Sequence, residues 1–408
     1  MQKKIETSIL APEKLYIFFL TNTLIMFSKE LISKFEGTPT PFYYYDMALL
    51  RHTLNSLQTA ADKYGYKIHY AVKANANPEI LKTIASYGFG ADCVSGNEVL
   101  MAVECGFPSD KIVFAGVGKS DKEINDALAN DIFCFNCESV QEIQVINQLA
   151  AQNGKIAQIA LRLNPGIDAH TNKCINTGLE DSKFGINFNL LEEVVKEIVV
   201  LNNIKLIGLH YHIGSQITDL EPYRLLCSRS NEMQQKLQLL GLNLPEINLG
   251  GGLGIDYDNP DANPIPNFET LLDTIHENLD VKKGQKVHFE FGRAVVAQCG
   301  TMIARVLYTK KASKTTFAIV DAGFNDLIRP ALYGAHHRIE NLTSTSSQED
   351  IYDVVGPICE STDVFEQAYK MPITQRGDLL AFRSAGAYGE IMASRYNLRN
   401  LAKSYFFD

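Results

Sequence analysis

No stretch of the sequence gathers lysine and arginine into a face: 38 basic residues are scattered among 47 acidic ones, for a net charge of -9. Neutralising phosphates requires such a face, so nucleic acid is excluded as a partner and small-molecule chemistry is favoured. The eight cysteines are not spaced as a disulfide framework in so long a chain, which implies a reducing, cytoplasmic setting. Cys134 and Cys137 have the spacing of half a zinc site, but no second pair answers them; they are read as structural, and no metal is expected. The apolar run from Leu15 to Phe27 is too short to cross a bilayer, is broken at Thr21, Asn22 and Thr23, and lacks a small-residue cleavage site. No membrane anchor is expected there. Residues 1–25 are read as an N-terminal extension upstream of Met26. Low-complexity segments are missing, and the only repeat is an alternation of strand-like and helix-like stretches.

That alternation organises most of the chain. A length of 408 residues with 46% hydrophobic content supports two domains, each with its own core. From Asp46 to Gly65 an apolar period near 3.6 through Leu49, Leu50, Leu54, Leu57 and Ala61 marks an amphipathic helix. Strands are then expected at 68–74, 89–94, 111–115, 132–136, 156–163, 204–212, 245–250 and 286–291, with helical patterns between them. Such a count is that of a (β/α)8 TIM-like barrel, assigned to 46–293. Past Ala294 the rhythm changes to short β-rich runs at 301–308, 316–320, 352–355 and 379–383, so 294–408 is expected to form a C-terminal β-sandwich or β-barrel domain. Residues 26–45 are expected to join it, with Thr40 to Asp46 adding a strand.

The candidate chemistry centres on Lys67 to Asn75, read as a strand that ends in a lysine. A period of two turns His69, Ala71 and Lys73 inward, and Asn77-Pro78 caps the helix that follows, which puts Lys73 at the carboxyl end of a barrel strand. An amine held there, partly desolvated, is expected to lose basicity and to form a Schiff base with a carbonyl. Strand 6 closes with His210-Tyr-His212-Ile-Gly-Ser215-Gln, and strand 7 with Asn248-Leu-Gly250-Gly251-Gly252-Leu-Gly254. Glycines at that place let backbone N–H groups close on a phosphate, although a tight turn would need them equally. Strand 8 ends in Glu290-Phe-Gly292-Arg293; facing a pyridine nitrogen, Glu290 would keep it protonated, and His212 could lie flat against the ring. Asp92 is a weaker candidate for the same polar floor.

These residues, with YAVKAN around Lys73, GFGADCVSGNE at 88–98, RPALYGAHH at 329–337, GPICESTD at 356–363 and GAYG at 386–389, resemble the fold-type III pyridoxal-phosphate decarboxylases from Thr40 to Asn397. The likeness is strongest to the diaminopimelate decarboxylase branch. It implies an alanine racemase-like barrel plus a β domain, with pyridoxal 5'-phosphate as cofactor. It also implies that Lys73 carries the cofactor, His212 stacks on the ring and Glu290 meets its nitrogen. Phosphate would be held by Ser215, by backbone of Gly251 and Gly252, by Gly292 and by Tyr388. Arg293, Arg329, Tyr333, Glu360 and Tyr388 match substrate-binding positions, Arg293 also lying beside the cofactor, and Cys359 matches the proton donor. Cys359 and Glu360 of such enzymes reach the other subunit's site, so a homodimer is implied. Phe291 departs from the usual proline and is expected to change the local turn more than the chemistry.

The reaction so implied is decarboxylation of meso-2,6-diaminopimelate to L-lysine and CO2, the last step of lysine biosynthesis. Its distal carboxylate and ammonium call for a cationic fork together with an anion, which Arg293, Arg329 and Glu360 can supply. Carboxynorspermidine, ornithine and arginine decarboxylases are the enzyme alternatives. A non-catalytic pyridoxal-phosphate carrier and a Schiff-base aldolase are the remaining ones.

Overall fold

The computed structural model describes residues 27–168 and 182–407, so the expected extension at 1–25 lies outside the described residues. Its strands are β1 Phe42–Asp46, β2 Lys67–Ala71, β3 Gly90–Cys93, β4 Ile112–Phe114, β5 Cys134–Cys137, β6 Ala157–Asn164, β7 Ile186–Asn187, β8 Ile204–His210 and β9 Glu246–Asn248. They continue as β10 Lys286–Phe291, β11 Gly300–Lys311, β12 Thr316–Val320, β13 Ile339–Asn341, β14 Glu349–Val355, β15 Val364–Pro372, β16 Leu379–Phe382 and β17 Lys403–Phe407. β2, β3, β4, β5, β6, β8, β9 and β10 pair in parallel in that order, and β10 returns to β2 to close an eight-stranded barrel; the two-residue β7 hangs on β6. All eight expected strands are present, and helices fill the gaps.

Local chemistry explains the alternation. Asp46 caps the helix Met47–Asp62 by accepting from the Leu49 N–H, and that helix buries Leu50, Leu54 and Leu57. Asn77 caps Pro78–Ala85 with proline in its first turn, as the sequence implied. Along β2, Ile68 and Tyr70 pack into the shell between strands and helices, while His69 points inward to a 2.8 Å hydrogen bond with His288 on β10. The first barrel strand, β2, stops sooner than its sequence pattern, because Val72–Ala74 winds into a single 3-10 turn. Lys73 therefore stands on that turn and not on the strand itself.

The second sheet has eight strands among the described residues, in the order β13-β16-β11-β12-β14-β15, with β1 joining β11 and β17. Its pairings are antiparallel except for β12 with β14 and β1 with β17. The four expected β runs fall on β11, β12, β14 and β16; β13, β15 and β17 had no clear signal. The two sheets meet at Gly386, whose N–H donates to Ala297 and whose carbonyl accepts from the Asn75 side chain, two residues beyond Lys73. A Cβ at position 386 would fall 2.0 Å from the Val296 carbonyl oxygen. Among the described residues no helix is long and apolar enough to cross a membrane. Gly386→Ala should cost about 1–3 kcal/mol through overpacking of backbone against backbone, read as a lowered urea midpoint.

Candidate active site

A cavity of about 590 Å3 opens at the carboxyl ends of the barrel strands. Lys73, Asp92, His212, Ser215 and Glu290 line it from the barrel, and Arg293, Arg329, Tyr333 and Tyr388 close it from the segments that lead into and out of the second sheet. Nine of the expected site residues thus share one space.

Its floor is an anion fixed from three sides. Glu290, buried on β10, accepts from Asn136 Nδ2 at 3.1 Å and Asn248 Nδ2 at 2.7 Å through one oxygen, and from His210 Nε2 at 2.9 Å through the other. Burial opposes its charge, but His210, then Lys73, hold it well below the usual carboxylate range. Asn248 also takes the Gly250 N–H at 2.9 Å, which ties this floor to the glycine loop. Asp92 behaves oppositely: burial, then the charge of Glu290, push it up to about 8 against the pull of Lys73. Lys73 Nζ stands 3.5 Å from Asp92 Oδ2. The expectation that Lys73 loses basicity is overturned. Burial does draw it down, but Asp92, Tyr388 and Glu290 outweigh burial and hold the ammonium above its ordinary value.

His212, just past the end of β8, accepts the Gly251 N–H at its Nδ1 over 3.4 Å, and burial, Lys73 and Arg162 keep it neutral. Gly251 needs its lack of a side chain, since a Cβ there would lie 1.9 Å from the Glu290 carbonyl oxygen. A Cβ on Gly252 would lie 2.7 Å from the Gly214 carbonyl oxygen, and one on Gly292 would lie 3.0 and 3.1 Å from the methyls of Ala74 and Ala71. Tyr388 sits at φ +57°, a left-handed conformation costly for a tyrosine, with its N–H donating to the Ala74 carbonyl at 2.8 Å. Phe291 turns away from the cavity, stacks on Phe289 and meets Phe268 edge-on, so the departure from proline is absorbed by the outer core.

The roof is cationic. Arg293 donates to Ser215 Oγ at 2.9 Å and to Tyr257 Oη at 2.7 Å; Arg329 donates to His337 Nε2 at 2.8 Å. Both arginines are 6% exposed as whole residues, and among the described residues no carboxylate pairs with either. Cys359 and Glu360 do not line this cavity. They lie on an exposed loop, where Glu360 accepts from Tyr396 at 2.7 Å and Asn397 accepts the Cys359 N–H. Sequence reasoning missed Asn136, His210, Arg162 and Tyr257. Asn136 and His210 were signalled by polar side chains at inward positions of otherwise apolar strands.

Asp92 gives a pH test. It keeps its proton to about pH 8 when folded but only to about pH 4 when unfolded, so folding takes up a proton between those values. Its contribution to stability is therefore full below about pH 4 and is lost as pH rises toward 8. In urea unfolding of the cofactor-free protein, the wild type should weaken progressively relative to Asp92→Asn over that window; parallel curves would refute the shift.

Known proteins share this arrangement. Residues 48–297 match the family model described as pyridoxal-dependent decarboxylase, pyridoxal binding domain. The diaminopimelate decarboxylase of Bacteroides thetaiotaomicron is 54% identical over 378 residues, covering 92% of this chain and 98% of that protein. That of Aquifex aeolicus is 39% identical, over 91% of this chain and 86% of its own length. The crystal structure of diaminopimelate decarboxylase from Helicobacter pylori complexed with L-lysine superimposes with a TM-score of 0.87 at 37% identity, covering 92% of this chain and 93% of that one. A barrel with a lysine, two buried carboxyls and a neutral histidine at its mouth, and this degree of likeness over nearly the whole length, place the chain in the diaminopimelate decarboxylase family of pyridoxal-dependent decarboxylases.

Proposed function

We propose that the protein removes CO2 from meso-2,6-diaminopimelate to give L-lysine. The observation that carries this reading is the pair of buried guanidiniums, Arg293 and Arg329, which have no carboxylate partner among the described residues and face the cavity of Lys73. A buried charge left unpaired costs several kcal/mol on the order of a whole active-site contact, so such a roof favours a substrate that brings its own carboxylate. Ornithine, arginine and lysine have no distal carboxylate to offer.

The cofactor of this family is pyridoxal phosphate, and the residues present fit it. Lys73 supplies the amine, and Asp92 Oδ1 is buried beside it without a hydrogen-bond partner. When bound, the cofactor takes up the electron pair of the broken carbon–carbon bond. Glu290, kept ionised by His210, would hold the proton on the pyridine nitrogen. His212, neutral and next to the glycine loop, would lie against the ring. Ser215, the backbone of Gly251 and Gly252, Gly292 and Tyr388 would take the phosphate, while Arg293, Arg329, Tyr333 and Tyr388 orient the substrate.

The remaining two expected residues support a homodimer. Cys359 and Glu360 are exposed, and the segment near them carries Leu398 at 97% exposure together with half-exposed Ile391, Tyr396 and Leu401. An apolar surface of this kind beside a polar cavity suits an interface across which the partner's Cys359 protonates the carbon that has lost CO2, and the partner's Glu360 receives the distal ammonium.

Purified protein supplied with pyridoxal phosphate should release CO2 from meso-diaminopimelate and not from ornithine, arginine or lysine; equal turnover of ornithine would sink the assignment. Arg329→Ala should lose diaminopimelate turnover at least about a hundredfold, the scale of one charged contact, with cofactor absorbance retained. Borohydride reduction followed by peptide mapping should label Lys73.

A further inference from the structure

Two guanidiniums that both lie in one buried roof repel each other, and among the described residues no carboxylate separates them. What lies against both is a tyrosine. Tyr257 Oη accepts from Arg293 Nη1 at 2.7 Å, and the guanidinium carbon of Arg329 is 5.0 Å from the centre of the Tyr257 ring. The ring also makes a T-shaped contact with His337, 5.3 Å away between centroids.

The loop that presents this hydroxyl is built to hold still. Gln216 donates to the Ile255 carbonyl at 2.6 Å and accepts the Ile255 N–H at 3.2 Å, which pins the chain two residues before Tyr257. Asp256 accepts the N–H groups of Asp258 and Asn259 at 2.9 and 2.8 Å, closing a turn around it. Tyr257 is thus held at its backbone by a side chain of the barrel and by its own neighbour, so that only its side chain need move.

We infer that Tyr257 is a specificity-determining residue: without substrate its phenolic oxygen stands in for a carboxylate oxygen between Arg293 and Arg329, and it yields that place when a substrate carboxylate binds. This rests on the reading that the two arginines take the distal carboxylate. A neutral phenol is a weaker acceptor than a carboxylate, so a dicarboxylate displaces it, whereas a substrate without a distal carboxylate gains nothing by doing so. The groups that face Tyr257 are Arg293, Arg329, His337 and, across Arg293, the ring of Tyr388. Asp258, next in the chain, turns outward to His336. Burial pushes the Tyr257 phenol up, but the two arginines outweigh it and draw it below its ordinary value. Once ionised, Tyr257 competes fully for the roof.

The test is the pH dependence of KM for meso-diaminopimelate in the pyridoxal-phosphate-loaded enzyme, wild type against Tyr257→Phe, which keeps the ring. Wild-type KM should climb toward tenfold per pH unit in the alkaline range as the competent, neutral form is depleted, and that climb should be missing from Tyr257→Phe while the kcat profiles run parallel. Identical KM profiles overturn the inference. An ultraviolet titration supplies a reading independent of turnover: saturating pimelate, a dicarboxylate without amines, should move one tyrosinate transition to higher pH in the wild type and none in the variant. An unmoved transition also overturns it. Should the wild type release no CO2 from diaminopimelate, the substrate assignment fails, and the pimelate titration still decides the role of Tyr257.

Discussion

The carboxylate of Glu290 is the constraint on which the site depends. A charge buried at the centre of a barrel is tolerable only if donors surround it, and three strands supply them, Asn136 from β5, His210 from β8 and Asn248 from β9. Barrel interiors are ordinarily filled with branched apolar side chains. Here polar side chains recur in the interior, with His69 and His288 bonded below and Glu290 with its donors above. The lower pair plugs the barrel. The upper group gives the mouth a fixed negative charge that raises its neighbour Asp92 and helps keep Lys73 cationic.

From that floor the cavity reads as a gradient of charge. Carboxyls lie deep, the lysine and a neutral histidine stand at mid-height, and two guanidiniums form the roof. A molecule with a carboxylate at its far end and an amine near Lys73 would match this order. The barrel contributes the lower two layers on its strand ends and turns, while Arg329, Tyr333 and Tyr388 arrive from segments interleaved with the second sheet. The left-handed backbone at Tyr388 and its bond to Ala74 show how tightly the two parts are coupled at the lysine turn.

The barrel was legible in the sequence because its signal is repeated eight times, and because caps such as Asp46 and Asn77 punctuate it. The turn at Val72–Ala74 was not, since Ala71-Val72-Lys73 continues the strand alternation and only the handover to the next helix forces it to wind. β15 hid behind its exposed Gln367 and Lys370 and a residue with positive φ at Ala368. β17 is five residues long and rests entirely on β1, so no local pattern marks it. Within the site, residues embedded in runs of distinctive neighbours could be recognised. Tyr257 could not: it lies in an irregular loop, and only the convergence of two arginines from different parts of the chain gives it meaning. The basicity of Lys73 was misjudged for a related reason, because burial can be guessed from a strand pattern and the charges around it cannot.

The placement of β1 bears on how the chain comes together during synthesis. Phe42–Asp46 precedes every strand of the barrel, yet both its partners, β11 and β17, follow the barrel in sequence. As the polypeptide emerges from the ribosome, the barrel can build up on contacts between successive strands and close once β10 meets β2, while this aromatic-rich strand waits with both edges unsatisfied. Among the described residues, its flanks, the Ser28-capped helix Lys29–Glu36 and the helix Met47–Asp62, are the early structure available to shield it. The nascent chain is thus most vulnerable to misassociation through Phe42 to Tyr45, and it stays so until translation has delivered the last strand.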